Sequence, residues 1–433
     1  MLDDFSSPGS GFREHELRAR VLAELHARPF EPISGQKRIL HFAFMADHEA
    51  ADQAQAALAQ FCVDRAAPAP LAGAKHHRVE LTPTVLRWER HGEFLTYTFE
   101  FPQDGRERPP FTPDAGELAK VMRLLPQPGP LIVAADLDLR REEAADEDWR
   151  RLFSQSELAA AEVAHGLALV ATDFRADVYG FVRLLVLDRG LGELEAGALA
   201  QCLLELETYR TLALLGLPCA QDLSPTIARI EAELPRLIGA MRDAEGLEAS
   251  RELLGRLTAL AGELESGAAR SLYRFGATKA YYETVERRLS IIHERPVGDA
   301  PTLRQFLTRR LTPAIRTCAA IEARQDTLSR KLARAAQLLR TRVEVELESQ
   351  NQNLLSTMNE RVRMQLRMQQ TVEGLSVAAI TYYMASILHL VFEGLHQEAH
   401  WLNPALATAL FVPPIAVAVW WNVRKLRRSH PVD

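Results

Sequence analysis

Two long apolar stretches near the C-terminal end constrain the fold of this chain more than any other feature. Residues 375–392 and 404–421 each contain 18 residues, close to the ~20 that a helix needs to cross the hydrocarbon core of a bilayer. From Met368 to Val423 the chain has no Lys or Arg, whereas both flanks are rich in them. Because basic flanks stay in the cytoplasm, the sequence predicts a two-pass hairpin over residues 371–428, with the loop 393–403 outside and both termini cytoplasmic.

Composition limits what the rest of the chain can be. With 433 residues, a formal net charge of -6 and 25% charged residues, it is long enough for two or three domains and gives no indication of nucleic-acid binding. Its four cysteines lack C-x-x-C spacing, which argues against a disulfide framework or a zinc site. The dinucleotide-binding, P-loop, zinc-protease and serine-hydrolase motifs are all missing from the sequence, so we expect neither an enzyme nor a firmly bound cofactor.

The N-terminal part of the chain, residues 1–192, has the pattern of an α+β domain. Short apolar or alternating runs predict six or seven strands, and the short links between several of them favour a mixed sheet. The predicted strands are 37–45, 84–90, 93–101, 131–139, 167–174 and 180–187, and the predicted helices are 15–25, 47–59, 113–125 and 154–165. We expect this domain to be cytoplasmic.

Helices alone are predicted from residue 193 onward. Residues 193–312 form a helical domain, in which Ser224-Pro225 is a helix start and Gly246, Gly267 and Pro296 mark breaks. Residues 314–370 contain no Pro and no Gly, which predicts one long stalk helix over 313–370 that continues into the hairpin. Apolar residues recur at heptad spacing in its upper half (Ile321, Leu328, Leu332, Ala335 and Leu339), whereas its lower half is polar. A polar helix of that length suggests a stalk in a homo-oligomer.

Three stretches are familiar: ELHARPF at 24–30, FGATKAYY at 275–282 and LRMQQTVEGLSVAAITY at 366–382. Together they resemble an uncharacterised bacterial family of membrane-anchored proteins with a domain of unknown function. That resemblance implies a protein of the bacterial inner membrane, in contact with membrane lipid.

The order of the parts is also similar to that of the CorA-type magnesium transporters. In that family a cytoplasmic domain leads through a long stalk helix into two spans, and the first span lines the pore of a pentamer. The resemblance implies a homo-oligomer, a pentamer by analogy, that passes a divalent cation. The Gly-Met-Asn motif of that family is absent, and residues 392–396 read FEGLH at the corresponding place, so the likeness is one of architecture.

Polar residues of the stalk and first span are candidates for a pore lining. They are Asn351, Asn359, Gln365, Gln369, Glu373, Ser376, Thr381 and Ser386. A hydrated pore would use such side chains. The alternative is helix packing through small residues, which is common inside membranes.

Metal-ligand types cluster at the outer end of the first span. His389, Glu393, His396 and His400 are spaced so that one helix face would carry them, which suits Zn, Co or Ni. The alternative is a loop whose histidines only make hydrogen bonds. In the N-terminal domain, Asp136, Asp138, Asp173 and Asp177 could bind a regulatory Mg or Ca, or could be turn and cap residues. His26, Arg28, His76 and His77 are expected to make structural contacts.

These patterns lead to two functional hypotheses. The first is a CorA-like oligomeric membrane protein that conducts a cation under control of its cytoplasmic domain. The second is a membrane-anchored scaffold or sensor that transports nothing and binds a protein partner. They differ in whether the axis of the helix bundle is wet or sealed by apolar side chains.

Overall fold

The computed structural model describes residues 15–18, 21–22, 31–71, 73–103, 109–111, 123, 127–144, 148–398 and 403–429, without the side chains of 396–398 and 426–429. The chain divides into two compact units. The first comprises Met1–Leu237 and Leu257–Arg334, and the second comprises Ile238–Arg256 and Ala335–Asp433. The residues His26 and Arg28 lie outside the described residues, as does the predicted helix 113–125 except for residue 123, which is helical.

A nine-stranded mixed sheet forms the centre of the first unit. Its strands are β1 (Lys37–Met45), β2 (His76–Leu81), β3 (Thr84–Arg90), β4 (Phe94–Pro102), β5 (Leu131–Arg141), β6 (Ala159–Val163), β7 (Ala168–Thr172), β8 (Val182–Asp188) and β9 (Arg295–Pro296). Their order is β2-β3-β4-β1-β5-β8-β7-β6-β9. β5 and β8 pair in parallel, and the other neighbours pair antiparallel.

Six long helices are described along their full length across the two units. They are α1 (His48–Val63), α2 (Glu193–Leu214), α3 (Gly216–Asp243), α4 (Leu247–Ile291), α5 (Leu303–Glu398) and α6 (Pro404–Ser429). Because side chains alternate along a strand, each face of the sheet has its own core. On one face Ile39, Leu137 and Leu184 pack with residues of α2, α4 and α5. On the other, Leu40 and Phe42 pack with residues of α1.

The upper part of α5 contributes a regular buried stripe to the helical part of the first unit. Ile321, Leu328 and Leu332 are each less than 5% exposed, which confirms the predicted heptad packing there. Pro313 lies inside α5 without ending it, so the last part of the predicted helical domain and the predicted stalk are one continuous helix.

In the second unit, the end of α3 is closed by a side chain of α5. The guanidinium of Arg342 donates to the carbonyl oxygens of Met241 and Ala244, at 2.7 and 2.5 Å. The last carbonyls of a helix have no partner within it, so Arg342 satisfies groups that would otherwise need water. Leu253 and Leu339 are buried nearby in the same unit.

Three predicted features are wrong. Residues 154–165, predicted as a helix, contain the strand β6, whose residues pair with β7 and β9. Ser224-Pro225 is not a helix start, because α3 begins at Gly216 and Pro225 lies inside it. Gly267 does not break the helix: α4 continues through it, and a Cβ there would lie 3.1 Å from Cδ2 of Leu223, so this glycine permits a close helix contact.

Candidate membrane hairpin and stalk

The lower part of α5 is a helix without a covering layer in the single chain. From residue 348 to 372 every residue is exposed, although many are apolar. The large exposed side chains of this stretch include Leu354, Leu355, Met358, Val362, Met364, Leu366, Met368 and Val372. Apolar surface of this extent on one helix indicates that another surface covers it in the functional protein.

The end of α5 and α6 pack together as a hairpin within the second unit. His389 Nδ1 lies 3.0 Å from Thr408 Oγ1, and the Phe392 and Phe411 rings are 5.7 Å apart. Two stretches, Leu303–Leu395 and Pro404–Lys425, contain windows long and apolar enough to cross a membrane by length and composition, and neither window is buried within the chain. The two apolar helices therefore indicate membrane association.

Hydroxyl groups along α5 are satisfied by the helix itself. Ser376 donates to the carbonyl of Val372 at 2.8 Å, Thr381 to that of Val377 at 2.7 Å, and Ser386 to that of Tyr382 at 2.9 Å. This i−4 bonding is the usual way in which a membrane helix accommodates Ser and Thr. Their presence in the span consequently does not require water or a polar neighbour.

The continuous helix divides the pore-lining candidates between different sides. At about 100° per residue, Gln365, Gln369, Glu373 and Ser376 lie on one side, which we call the polar stripe. Thr381 lies off this stripe and is half-buried, on a side shared with Val377 and Leu388. By the same geometry Asn351 lies on the side of Gln369, whereas Asn359 and Ser386 lie on two further sides.

The metal candidates are only partly described. His389 binds the Thr408 hydroxyl through Nδ1, and Glu393 is exposed one turn further along α5. The side chain of His396 and the whole of His400 lie outside the described residues. Among the described side chains, no three His, Cys, Asp or Glu residues come together as a metal site. The metal hypothesis therefore stays a prediction.

Aromatic and basic side chains alternate at the end of α6. The guanidinium of Arg424 lies 4.8 Å from the ring centre of Trp420, and the ammonium of Lys425 lies 5.5 Å from that of Trp421. Tryptophan and basic residues next to an apolar helix are typical of the boundary between lipid and water. The basic flank of the predicted hairpin therefore carries side chains that are typical of this boundary.

The aspartates of the N-terminal domain are occupied by protein partners. Asp136 accepts two bonds from Arg38, at 3.0 and 2.7 Å. Asp138 accepts two from Arg140, both at 2.8 Å. Asp173 and Asp177 accept backbone N–H groups of nearby turns. These contacts match the alternative in which the aspartates have structural roles. Burial raises the pKa of the Asp136 carboxyl, against the opposing effect of Arg38.

A buried polar group that the sequence did not predict lies on β1. His41 is 6% exposed, with Nδ1 2.8 Å from Thr98 Oγ1 and Nε2 3.0 Å from Thr208 Oγ1. The Thr208 hydroxyl donates to the carbonyl of Leu204, so it accepts from Nε2–H, and Nδ1 accepts from Thr98. Burial lowers the pKa of His41 to about 3, which fits this neutral tautomer. The alternation of KRILHFAFM could have placed His41 on an inner face.

The stretch 275–282 has a structural role in the described contacts. Phe275 is buried, and the Tyr281 hydroxyl donates to Glu93 Oε1 at 2.7 Å. Arg274, directly before the stretch, holds the same carboxylate through two bonds at 3.0 and 2.7 Å. These contacts fasten α4 to the turn between β3 and β4.

The fold and the hairpin define the class: an α+β protein with a mixed sheet, long helices and two apolar C-terminal helices that suggest membrane association. The chain belongs to the family described as "Protein of unknown function (DUF3422)", which it matches over residues 13–430. No curated protein and no solved structure matches the chain.

Proposed function

We propose that this protein is a membrane-anchored scaffold. Its C-terminal hairpin holds the α+β domain at the cytoplasmic face of the bacterial inner membrane, where that domain binds a protein partner. Both termini are cytoplasmic, and the loop between α5 and α6 faces outward.

One observation favours the scaffold over transport. The hydroxyls of Ser376, Thr381 and Ser386 are bonded to the carbonyls of their own helix. Between residues 377 and 388 α5 has no carboxylate, amine, guanidinium or imidazole. An ion crossing hydrocarbon needs polar groups in place of its water, and between residues 377 and 388 the side chains of α5 offer only the hydroxyls of Thr381, Tyr382, Tyr383 and Ser386.

The test is ion flux into proteoliposomes that contain the purified full chain. Mg²⁺, Zn²⁺, Co²⁺, Ni²⁺, K⁺ and H⁺ should enter no faster than into protein-free vesicles. Topology is measured in parallel, with Asn403→Cys expected to react with an impermeant thiol reagent from outside and Gln352→Cys only after permeabilisation. Flux of any of these ions would refute the scaffold, and the reverse labelling pattern would refute the topology.

Cation conduction is the second candidate, and the polar stripe favours it. Gln369, Glu373 and Ser376 lie on one side of α5 at the inner end of the span, where a carboxylate ring would attract cations. If the proteoliposomes conduct, Glu373→Gln should lower divalent flux several-fold. Glu360→Gln makes the same change about 140° around α5 from Glu373; it serves as the matched control and should conduct like the unchanged protein.

A further inference from the structure

The buried residues of upper α5 follow one spacing without interruption. They are Leu311, Ala314, Cys318, Ile321, Gln325, Leu328, Leu332, Ala335, Leu339 and Val343, and none is more than 9% exposed. Steps of three and four residues put all of them on one side of the helix. This side is the part of α5 that packs against other helices within each unit.

The same steps continue below residue 343. Leu347, Asn351, Leu354, Met358, Arg361, Gln365, Met368, Val372, Leu375 and Ala379 alternate strictly by four and three residues. We call these ten residues the seam. From Asn351 onward every member is exposed in the single chain, so the packing pattern persists where the intramolecular partner ends.

We propose that the seam is a self-association interface, at which α5 pairs in parallel with α5 of a second copy of this chain. The proposal deepens the proposed function and rests on it for the direction of pairing. Copies anchored in one membrane carry their α5 helices the same way up.

Several observations favour a second copy as the occupant. A strict seven-residue repeat on a helix of 3.6 residues per turn produces a left-handed coiled coil with a like helix. Asn351 and Gln365 then meet their own counterparts, and amide side chains can both donate and accept hydrogen bonds. Polar residues at such positions fix the register of coiled coils.

The hairpin leaves the seam accessible. Val377, Thr381, Ala385, Leu388 and Phe392 are half-buried on one side of α5 in the span, the side of the contacts with α6, and Ser386 is half-buried on the seam side. Val372, Leu375 and Ala379 lie on the opposite side and are exposed. A second copy can therefore reach the seam without displacing α6.

The seam and the polar stripe favour different arrangements of α5 helices in an assembly. Gln365 belongs to both, and the other members of the two sets lie roughly 90° apart around α5 in this region at 3.6 residues per turn. If seam meets seam in a two-stranded pair, the stripe lies beside the contact and encloses no axis. Only a ring of several copies could direct the stripe inward while the seam contacts a neighbour.

Disulfide cross-linking of the full chain in membranes tests the proposal. Met368→Cys and Leu354→Cys should each give a covalent dimer on mild oxidation, because parallel pairing in register brings each position close to itself. Ser356→Cys, on the far side of the helix, and the unchanged protein are the controls. If Ser356→Cys cross-links to the same extent as Leu354→Cys, the seam is not the interface. If Leu354→Cys forms a covalent dimer but Met368→Cys does not, the two α5 helices do not pair in parallel along the seam.

The mass of the purified full chain in detergent gives a second measurement. Leu354→Asn should weaken association by about tenfold or more, since it places an amide in an apolar seam layer. Leu366→Asn changes the same residue type about 130° around the helix from the seam and should leave the mass unchanged. Equal loss in both variants would overturn the proposal. Failure of membrane topology with intact cross-links would instead count against the proposed scaffold alone.

Discussion

The α+β domain and the lower part of α5 satisfy their polar groups in opposite ways. In the domain, carboxylates are matched with side chains distant in sequence, as Asp136 is with Arg38 and Glu93 with Arg274. In lower α5, hydroxyls such as those of Thr371 and Ser376 turn back to carbonyls four residues earlier. The domain is thus a closed structure whose parts depend on one another. Lower α5 satisfies its hydroxyl groups within its own helix, and its apolar surface stays exposed in the single chain.

The difference also separates where mutations should act. A substitution inside the domain should change the free energy of unfolding, because each buried partner is left without its counterpart. A substitution on exposed α5 should leave unfolding of the single chain almost unchanged and should alter association instead.

The largest effect is expected from breaking a buried ion pair. Asp138→Ala removes the carboxylate that accepts two hydrogen bonds from Arg140, a guanidinium only 5% exposed, and should lower the free energy of unfolding by about 3–5 kcal/mol. Urea unfolding followed by tryptophan fluorescence measures it. Asp148→Ala removes the partner of Arg151 in an exposed pair and should cost less than about 1 kcal/mol. Equal costs would mean that the domain does not depend on its internal pairs.

A second prediction compares two leucines that occupy equivalent positions in the three- and four-residue spacing along α5. Leu332 is fully buried, so Leu332→Ala should destabilise the fold by about 2–5 kcal/mol. Leu354 is 63% exposed, and Leu354→Ala should change the unfolding of dilute protein by less than about 1 kcal/mol. A large loss at Leu354 even at high dilution would show that this part of α5 is already covered within one chain.

The sequence predicted the elements whose pattern is local. The strands at 37–45, 84–90 and 93–101 and the heptad burial from Ile321 to Leu339 were all found, because alternation and heptad spacing directly record which side is buried. The two apolar C-terminal helices were found because an apolar run long enough to cross a bilayer is itself visible in the sequence.

The errors arose where tertiary contacts override local preference. Residues 159–163 (AAAEV) favour a helix by composition, yet they form a strand because they pair with β7 and β9. Gly267 has a helix-breaking residue type, but its lack of a side chain allows Leu223 to approach α4. The partners of Asp136 and Asp138 could not be predicted. In the register of β1 and β5 Arg38 lies opposite Asp138, yet it bonds Asp136, and Asp138 pairs with Arg140 of its own strand.

A third prediction concerns acid. The pKa of His41 is lowered by burial from 6.5 to about 3, so between these values the unfolded chain binds a proton that the folded chain excludes. Stability should therefore fall as pH drops below 6.5, by at most about 1.4 kcal/mol per pH unit from this group. Below 4.5 Glu89 adds to the loss: burial raises its pKa, but the hydrogen bond and charge of His91 outweigh burial and hold the pKa at about 2.

His41→Gln should flatten the stability curve between pH 6.5 and 4.5, although it lowers stability at pH 7. Burial also lowers the pKa of His76, so a smaller slope of the same sign should remain. His48→Gln changes an exposed histidine and is the control, with an unchanged curve. An unaltered slope in His41→Gln would show that acid acts on the domain through other groups.

The smallest effect is expected at the one charged member of the seam. If α5 pairs with a second copy, the guanidinium of Arg361 lies at a position that apolar residues otherwise occupy, and its desolvation opposes association. Arg361→Leu should then tighten self-association by up to about tenfold, a change of about 1.4 kcal/mol, measured by sedimentation in detergent. Arg363→Leu removes the same charge from the far side of α5 and should not tighten it. If both substitutions tighten association equally, net charge rather than the seam controls self-association. Position 361 would then give no support for an interface on α5 that sets it apart from the closed domain.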